Sequence, residues 1–234
     1  CDDGTDVLAD MVVIATSHPP PGVPAALAAL VGSPRLITDS SAAERVAAVA
    51  RDAANVLVVG SGLTSADVIA SLDRQGYAGR ITALSRRGLR SRGHAFDYAE
   101  SEADFAAYPA RTALALLSRI RRAVREDARA GLPWQAALDN VRRDGPAIWA
   151  ALPPGEKARL VRRLRVWWDI HRFRIAPQVE AVMGRLIAEG RLRIVARHLL
   201  SANLGDQGIE ITSRGRDRQT RHEVFDAVIL TTGP

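Results

Sequence analysis

The stretch from Asn55 to Gly76, NVLVVGSGLTSADVIASLDRQG, limits the possible folds of this chain more than any other part of it. Val56 to Val59 are uninterrupted apolar residues, the pattern of a strand buried on both faces of a parallel sheet. The run stops at Gly60-Ser61-Gly62, after which Ala66, Val68, Ile69, Ala70 and Leu72 recur at helical spacing, and a second apolar run leads to Ser85. Strand, glycine turn, helix and strand in that order predict an α/β fold around a parallel sheet.

In such a unit the glycines have physical roles. The first permits the sharp turn, the second lets the backbone approach a pyrophosphate at the helix N-terminus, and a small residue in third place allows close helix–sheet packing. Gly60, Ser61, Gly62, Leu63, Thr64 and Ser65 are therefore candidate cofactor-binding residues, with Ser65 in the third place and Ala66 beside it. An ordinary strand, turn and helix is the alternative reading.

The second strand ends at Ser85-Arg86-Arg87, with Ser85 twenty residues past Ser65. An NAD site places a carboxylate at about this distance, to bond the adenosine ribose. Here no carboxylate stands there. A guanidinium pair offers charge-assisted, bidentate bonds to a 2′-phosphate, so Ser85, Arg86 and Arg87 predict NADP(H) over NAD(H). A solvated basic loop is the competing explanation.

Composition matters mainly for what it excludes. With 234 residues and 47% hydrophobic content the chain can bury a substantial core. The net charge of +6 invites a nucleic-acid reading. Yet Lys157 is the only lysine among abundant arginine and alanine, which reflects codon bias, and no nucleic-acid module is present, so no nucleic-acid partner is expected. Cys1 is the sole cysteine and the histidines lack ligand spacing, so neither an internal disulfide nor a metal site is expected. No apolar run is long enough to cross a bilayer, and the expectation is a cytoplasmic protein without a membrane partner. The start at Cys1, without methionine or leader, is read as that of a piece cut from a longer protein.

Two segments resemble each other: ADMVVIATSHPPPG (Ala9 to Gly22) and FDAVILTTGP (Phe225 to Pro234). Each has an acidic residue, an apolar strand and a small hydroxyl-bearing turn before proline. They resemble the segments by which flavoproteins with two dinucleotide-binding domains pass between an FAD domain and an inserted NAD(P) domain. On that reading Thr232 and Gly233 border the cofactor. The remaining pattern predicts a short strand Arg35–Thr38 and a helix Ser41–Arg51. Helical stripes follow from Ala113, at Trp134–Trp149 with a break at Gly145-Pro146, at Leu160–Trp168 and at Pro177–Ala188. Strand periodicity then appears in RLRIVA, IEITS, HEVFD and AVILTT.

The fold class expected is thus α/β: a Rossmann-like parallel sheet with a three-stranded antiparallel meander and a large helical insertion. The expected divisions are 1–22, a strand and linker leaving an FAD domain outside the chain; 23–97, the first half of the NAD(P) domain; 98–189, the helical insertion; and 190–234, the second half with its meander and return strand.

The run VLVVGSGLTSADVIASLDRQGYAGRITALSRRGLRSRGH, together with WWDIHRFRIAP (Trp167 to Pro177), resembles bacterial FAD-NAD(P)-binding proteins, a family of flavoprotein oxidoreductases without an agreed substrate. The resemblance implies NADP(H) as cofactor, with FAD in the full-length protein but not on this chain alone, which carries no second glycine fingerprint. It implies that the domain holds NADPH for hydride transfer to a flavin, in an oxidoreductase whose chemistry extends to monooxygenation, and that this chain alone is inactive. Catalytic residues and substrate stay unassigned. The contrasting reading is a non-catalytic nucleotide-sensing or interaction module that uses the basic helical insertion. Within WWDIHRFR, the tryptophans are expected in the core with Arg172 and Arg174 directed outward; a substrate-facing or anion-binding surface is the alternative. His94 is read as an exposed loop residue or as one reaching the adenine or nicotinamide side of the site.

Overall fold

The computed structural model describes residues 8–11, 13 and 22–232. The first turn-bearing segment, Ala9 to Gly22, and Gly233 therefore lie largely or wholly outside the described residues.

A 3-10 helix (Ala25–Leu30) precedes β1 (Leu36–Ile37) and α1 (Ala43–Asp52). The glycine unit forms β2 (Asn55–Val59), α2 (Leu63–Arg74) and β3 (Arg80–Ser85). The helical segment comprises α3 (Ala113–Arg129), α4 (Trp134–Arg143), α5 (Gly145–Ala151), α6 (Pro154–Arg172) and α7 (Pro177–Ala188). The strands β4 (Leu192–Gly205), β5 (Gly208–Gly215), β6 (Thr220–Phe225) and β7 (Ala227–Leu230) complete the chain. They form one sheet in the order β1-β7-β2-β3-β4-β5-β6. The β1, β7, β2, β3 and β4 neighbours pair in parallel, whereas β4–β5 and β5–β6 are antiparallel. The α/β class, parallel sheet and meander agree with the sequence.

One strand serves both regimes. Leu192–Ala196 of β4 pair in parallel with Ile81–Ser85, and Arg197–Gly205 then pair antiparallel with Gly208–Gly215. The sequence indicated only RLRIVA, because the continuation lacks regular alternation; β5 supplies its hydrogen-bonding partner.

Burial on both faces explains the unbroken apolar run in β2. Val56 and Val58 face a cluster with Ile69 and Leu72 of α2 and Met183 and Leu186 of α7. Leu57 and Val59 face the opposite cluster, with Leu27 and Leu30 of the 3-10 helix and Ile209, Ile211 and Phe225 of the meander. Each such fully buried aliphatic side chain contributes about 1.5–3 kcal/mol. Helix α7 thus lies on the sheet as the crossover between β3 and β4, although it follows the helical segment in sequence. Its bounds follow from Pro177 at the first turn and Gly190 in the left-handed region just beyond its end.

Helices α3 to α6 surround a core of their own, in which Phe105, Leu116, Ala137, Val141, Ile148 and Leu152 are buried. Two strips of chain join this block to the sheet. The amide of Arg92 donates to the Ile170 carbonyl, and the amide of Ile175 to the Arg92 carbonyl, both at 2.9 Å. The amide of His94 donates to the Ile175 carbonyl at 2.8 Å.

Candidate functional site

The turn after β2 is shaped by two glycines with different environments. Gly60 has φ +127°, and a Cβ there would lie 2.3 Å from the Thr231 Oγ1 and 2.8 Å from its carbonyl oxygen. The reason is register: β7 runs beside β2, with Val59 opposite Leu230, so the two strand ends meet. Thr231 closes the contact by donating its amide and its hydroxyl to the Val59 carbonyl, each at 2.9 Å. Gly60 is therefore required for packing. Gly62, the N-cap of α2, has an ordinary φ of −89°, and a Cβ there would meet nothing within 4 Å. Space of the kind a ligand could occupy lies over that position.

The N-terminus of α2 has no side-chain cap and no acidic residue in its first turn. Its exposed amide donors and positive dipole end remain uncompensated by protein carboxylates, a setting that favours an anion. Leu63 and Thr64 are exposed at this turn, whereas Ser65 is buried against the sheet. The Ser65 hydroxyl has no hydrogen-bond partner, so smallness rather than hydrogen bonding accounts for the residue there.

Ser61 links the turn to the end of β3. Its hydroxyl lies 2.8 Å from that of Ser85 and also bonds the carbonyl of Leu89. Each hydroxyl has one proton, so Ser61 donates to Leu89 and Ser85 donates to Ser61. The amide of Gly88 in turn donates to the Ser85 hydroxyl at 3.0 Å. The glycine turn and the arginine turn are thereby one hydrogen-bonded unit, reinforced by the Gly60 amide donating to the Leu84 carbonyl at 2.9 Å.

Arg86 and Arg87 are both exposed, and among the described residues neither enters a salt bridge or side-chain hydrogen bond. Many other arginines do. Arg90, three residues beyond Arg87, makes a two-pronged bond to the Glu180 carboxylate at 2.5 and 2.8 Å. Thr232 is exposed, with its hydroxyl 3.4 Å from the Gly22 carbonyl, and Gly233 falls outside the described residues.

A cleft of about 700 Å³ opens beside Leu63 and runs toward the helical block. Sequence reasoning missed most of it. His94 lines it, as do Arg172 and Arg174, whereas Phe96, Asp139 and Arg142 carry no recognisable signal in the sequence. Arg174 does not point outward as expected: it bonds Asp139 at 2.8 Å, lies over the Trp134 ring and is only 9% exposed. Burial would raise the Asp139 pKa, but hydrogen bonds from Arg174 and Tyr98 outweigh it and leave the carboxyl below its ordinary value. Trp168 packs against the helical core as expected. Trp167 is 46% exposed and lines, with His171, a separate apolar groove between α3, α4 and α6.

A family model described as L-lysine 6-monooxygenase/L-ornithine 5-monooxygenase matches residues 1–100. No curated protein matches the chain. Among solved structures, L-lysine 6-monooxygenase from Pseudomonas syringae is 19% identical with a TM-score of 0.58, over 93% of this chain and 44% of that one. Ornithine hydroxylase from Pseudomonas aeruginosa is 18% identical with a TM-score of 0.52, over 92% of this chain and 44% of that one. The chain is similar to lysine and ornithine monooxygenases. At these identities the structural likeness is one of fold, and the chain spans less than half the length of either structure.

The resemblance to FAD-NAD(P)-binding proteins read from residues 56 to 94 is consistent with this family match and with the shared fold. The family model that matches is one of monooxygenases, and no finding favours a non-catalytic interaction module. Among the described residues no helix is long and apolar enough to cross a membrane, and no cluster of side chains could hold a metal ion.

Proposed function

We propose that this chain is the NADP(H)-binding part of an FAD-dependent monooxygenase and that its glycine turn holds the cofactor's diphosphate. The observation that carries the reading is the contrast between the two glycines. Gly60 is filled by its own protein, while the approach to Gly62 is open above an uncapped helix end. Amides of Leu63, Thr64 and Ser65 are the donors for the diphosphate oxygens. Arg86 and Arg87, at the end of β3 and without protein partners among the described residues, take the 2′-phosphate. Ser61 and Ser85 hold the two turns in register and so fix the distance between the two phosphate sites.

When bound, NADPH would supply a hydride to the flavin of the full-length protein. The residues of this chain bind and orient. Thr231, locked onto Val59, and Thr232 after it place the end of β7 at the nicotinamide side of the turn. The proposed divisions of the chain are those expected from the sequence, with α7 counted among the helices that cover the sheet. The substrate class follows the matched family, namely a basic amino acid hydroxylated at its side-chain amine.

The test is a titration of the full-length protein with NADPH and NADH. Wild type should prefer NADPH, and Arg86→Ala with Arg87→Ala should remove that preference by weakening NADPH roughly 10- to 100-fold, the equivalent of about 1.5–3 kcal/mol for bonds to a charged group. Anaerobic NADPH should also bleach the flavin spectrum of wild type. Equal affinity for both nucleotides in wild type would remove the basis for the assignment.

A further inference from the structure

We propose that the apolar groove between α3, α4 and α6 docks an acidic amphipathic helix of a partner protein, in addition to the nucleotide binding proposed for the turns after β2 and β3. None of the residues that line the groove belongs to either turn. The groove encloses about 1000 Å³, and apolar side chains form most of its wall.

Residue spacing on two helices defines the shape that fits. Helix α3 lines the groove with Leu117, Ile120 and Val124, at i, i+3 and i+7, and α6 lines it with Leu160, Leu164 and Trp167, at i, i+4 and i+7. Each set runs over two turns, about 10 Å of helix. Such spacing is the seam along which one helix receives another. None of these six side chains is buried by the chain itself, whereas Leu116, Ala123, Val141 and Ile148 of the same block turn into its core. At the edge of the groove Trp149 is 46% exposed and Val161 48%. A continuous apolar stripe of this kind marks an interaction site, and half-exposed tryptophans beside arginines are the residue types that dominate interface energetics.

Charge decides the occupant. Helix α3 carries five arginines against two carboxylates, and α6 six lysine and arginine residues against two. Arg121 and Arg125 line the groove, and Arg129 continues their row by one turn. All three are exposed, and among the described residues none enters a salt bridge. On the facing wall Arg165 is exposed and meets Asp169 only at 3.6 Å. Cations repeated at i, i+4 and i+8 match carboxylates repeated along a helix, whereas an acyl chain would offer a single anionic head. A second copy of this chain would set the same arginines opposite one another, and like charges across an interface oppose association. A helix with an apolar stripe flanked by Asp and Glu satisfies both the seam and the arginine row.

The experiment titrates the full-length, FAD-loaded protein by calorimetry with synthetic helices of about fourteen residues, four turns. One peptide carries leucines at i, i+4 and i+7 flanked by glutamates, a second has lysines in place of the glutamates, and a third has the composition of the first in scrambled order. The acidic helix should bind saturably and the other two at least about 10-fold more weakly. Trp167→Ala should weaken the acidic helix about 30-fold, the loss expected of a central interface tryptophan. Arg121→Glu with Arg125→Glu, at exposed positions that leave the core untouched, should reverse the preference so that the lysine helix binds more tightly. Absence of binding by the acidic helix, equal binding of all three peptides, or an unchanged preference in the double variant would overturn the proposal. Dodecanoate binding that Leu164→Glu abolishes, without binding of the acidic helix, would make the groove an acyl site. Self-association of the full-length protein that Leu164→Glu abolishes would give the groove to a second copy, and either result would also overturn the proposal.

Discussion

Gly60 and Gly62 are two residues apart and should fail in opposite ways when replaced by alanine. At Gly60 the new Cβ meets a carbonyl oxygen of Thr231 at 2.8 Å as well as its Oγ1 at 2.3 Å, and the backbone sits at φ +127°. A non-glycine residue held in such a conformation costs about 1–3 kcal/mol, and forcing a methyl group into a packed contact about 1–3 kcal/mol more. The sum, about 2–6 kcal/mol, is a large part of a typical domain's stability of roughly 5–15 kcal/mol. For a protein of this size it lowers the melting temperature by roughly 5–20 °C. Adding Thr231→Ala removes the hydroxyl but neither the carbonyl clash nor the strain, so the double variant should recover only part of the loss. Gly62→Ala, at negative φ with nothing within 4 Å, should leave the melting temperature within a few degrees of wild type. It should nevertheless weaken NADPH roughly 10- to 100-fold, because the methyl group holds the diphosphate off the helix amides. Thermal unfolding and a nucleotide titration on the same preparations separate the two effects. A Gly62→Ala protein that binds NADPH like wild type would refute the placement of the diphosphate, and a Gly60→Ala protein of unchanged stability would refute the packing argument.

Two further predictions concern stability. Asp144 accepts hydrogen bonds from Arg143 and from the buried amide of Phe105. The Arg143 bond, against the opposing effect of burial, holds its carboxyl below the ordinary value. A carboxyl depressed in the folded state stabilises fully above its unfolded pKa and loses that contribution as pH falls through the folded one. Urea unfolding of Asp144→Asn should therefore show a weaker loss of stability below the ordinary carboxylate range than wild type shows. Asp226 accepts the amides of both Ala54 and Asn55 at 2.8 Å and so fixes the start of β2 from the strand end beside it. Asp226→Ala should cost about 1–2 kcal/mol at neutral pH, after discounting for solvent exposure, and an unchanged denaturant midpoint would contradict that role.

What could be read from the sequence was what neighbouring residues determine among themselves. The apolar run of β2, the glycine turn and the spacing of α2 lie within a few residues of one another, and their pattern sufficed for the βαβ unit. Pro177 and Gly190 likewise bound α7 by local backbone preference. The rest depended on partners distant in the chain. That Gly60 is needed for packing follows from Thr231, which lies on a strand paired across the sheet. The inward turn of Arg174 follows from Asp139, on a different helix. The second half of β4 owes its extended form to β5 and not to its own residues.

The same distinction accounts for how the site was found only in part. Residues 60 to 65 and 85 to 87 belong to a spacing rule, and the structure joins them through Ser61 and Ser85. Phe96 and Arg142 belong to no rule, since an aromatic residue in a loop and an arginine on a helix are common in any chain. They line one cleft because backbone bonds tie Arg92 and His94 to Ile170 and Ile175, and the two-pronged Arg90–Glu180 bond ties the same loop to α7. The helical block is thereby held beside the first residue of α2, where its arginines and exposed rings line the cleft. Its position, set by these few bonds, makes the block one wall of that cleft in addition to being an insertion between β3 and its crossover helix.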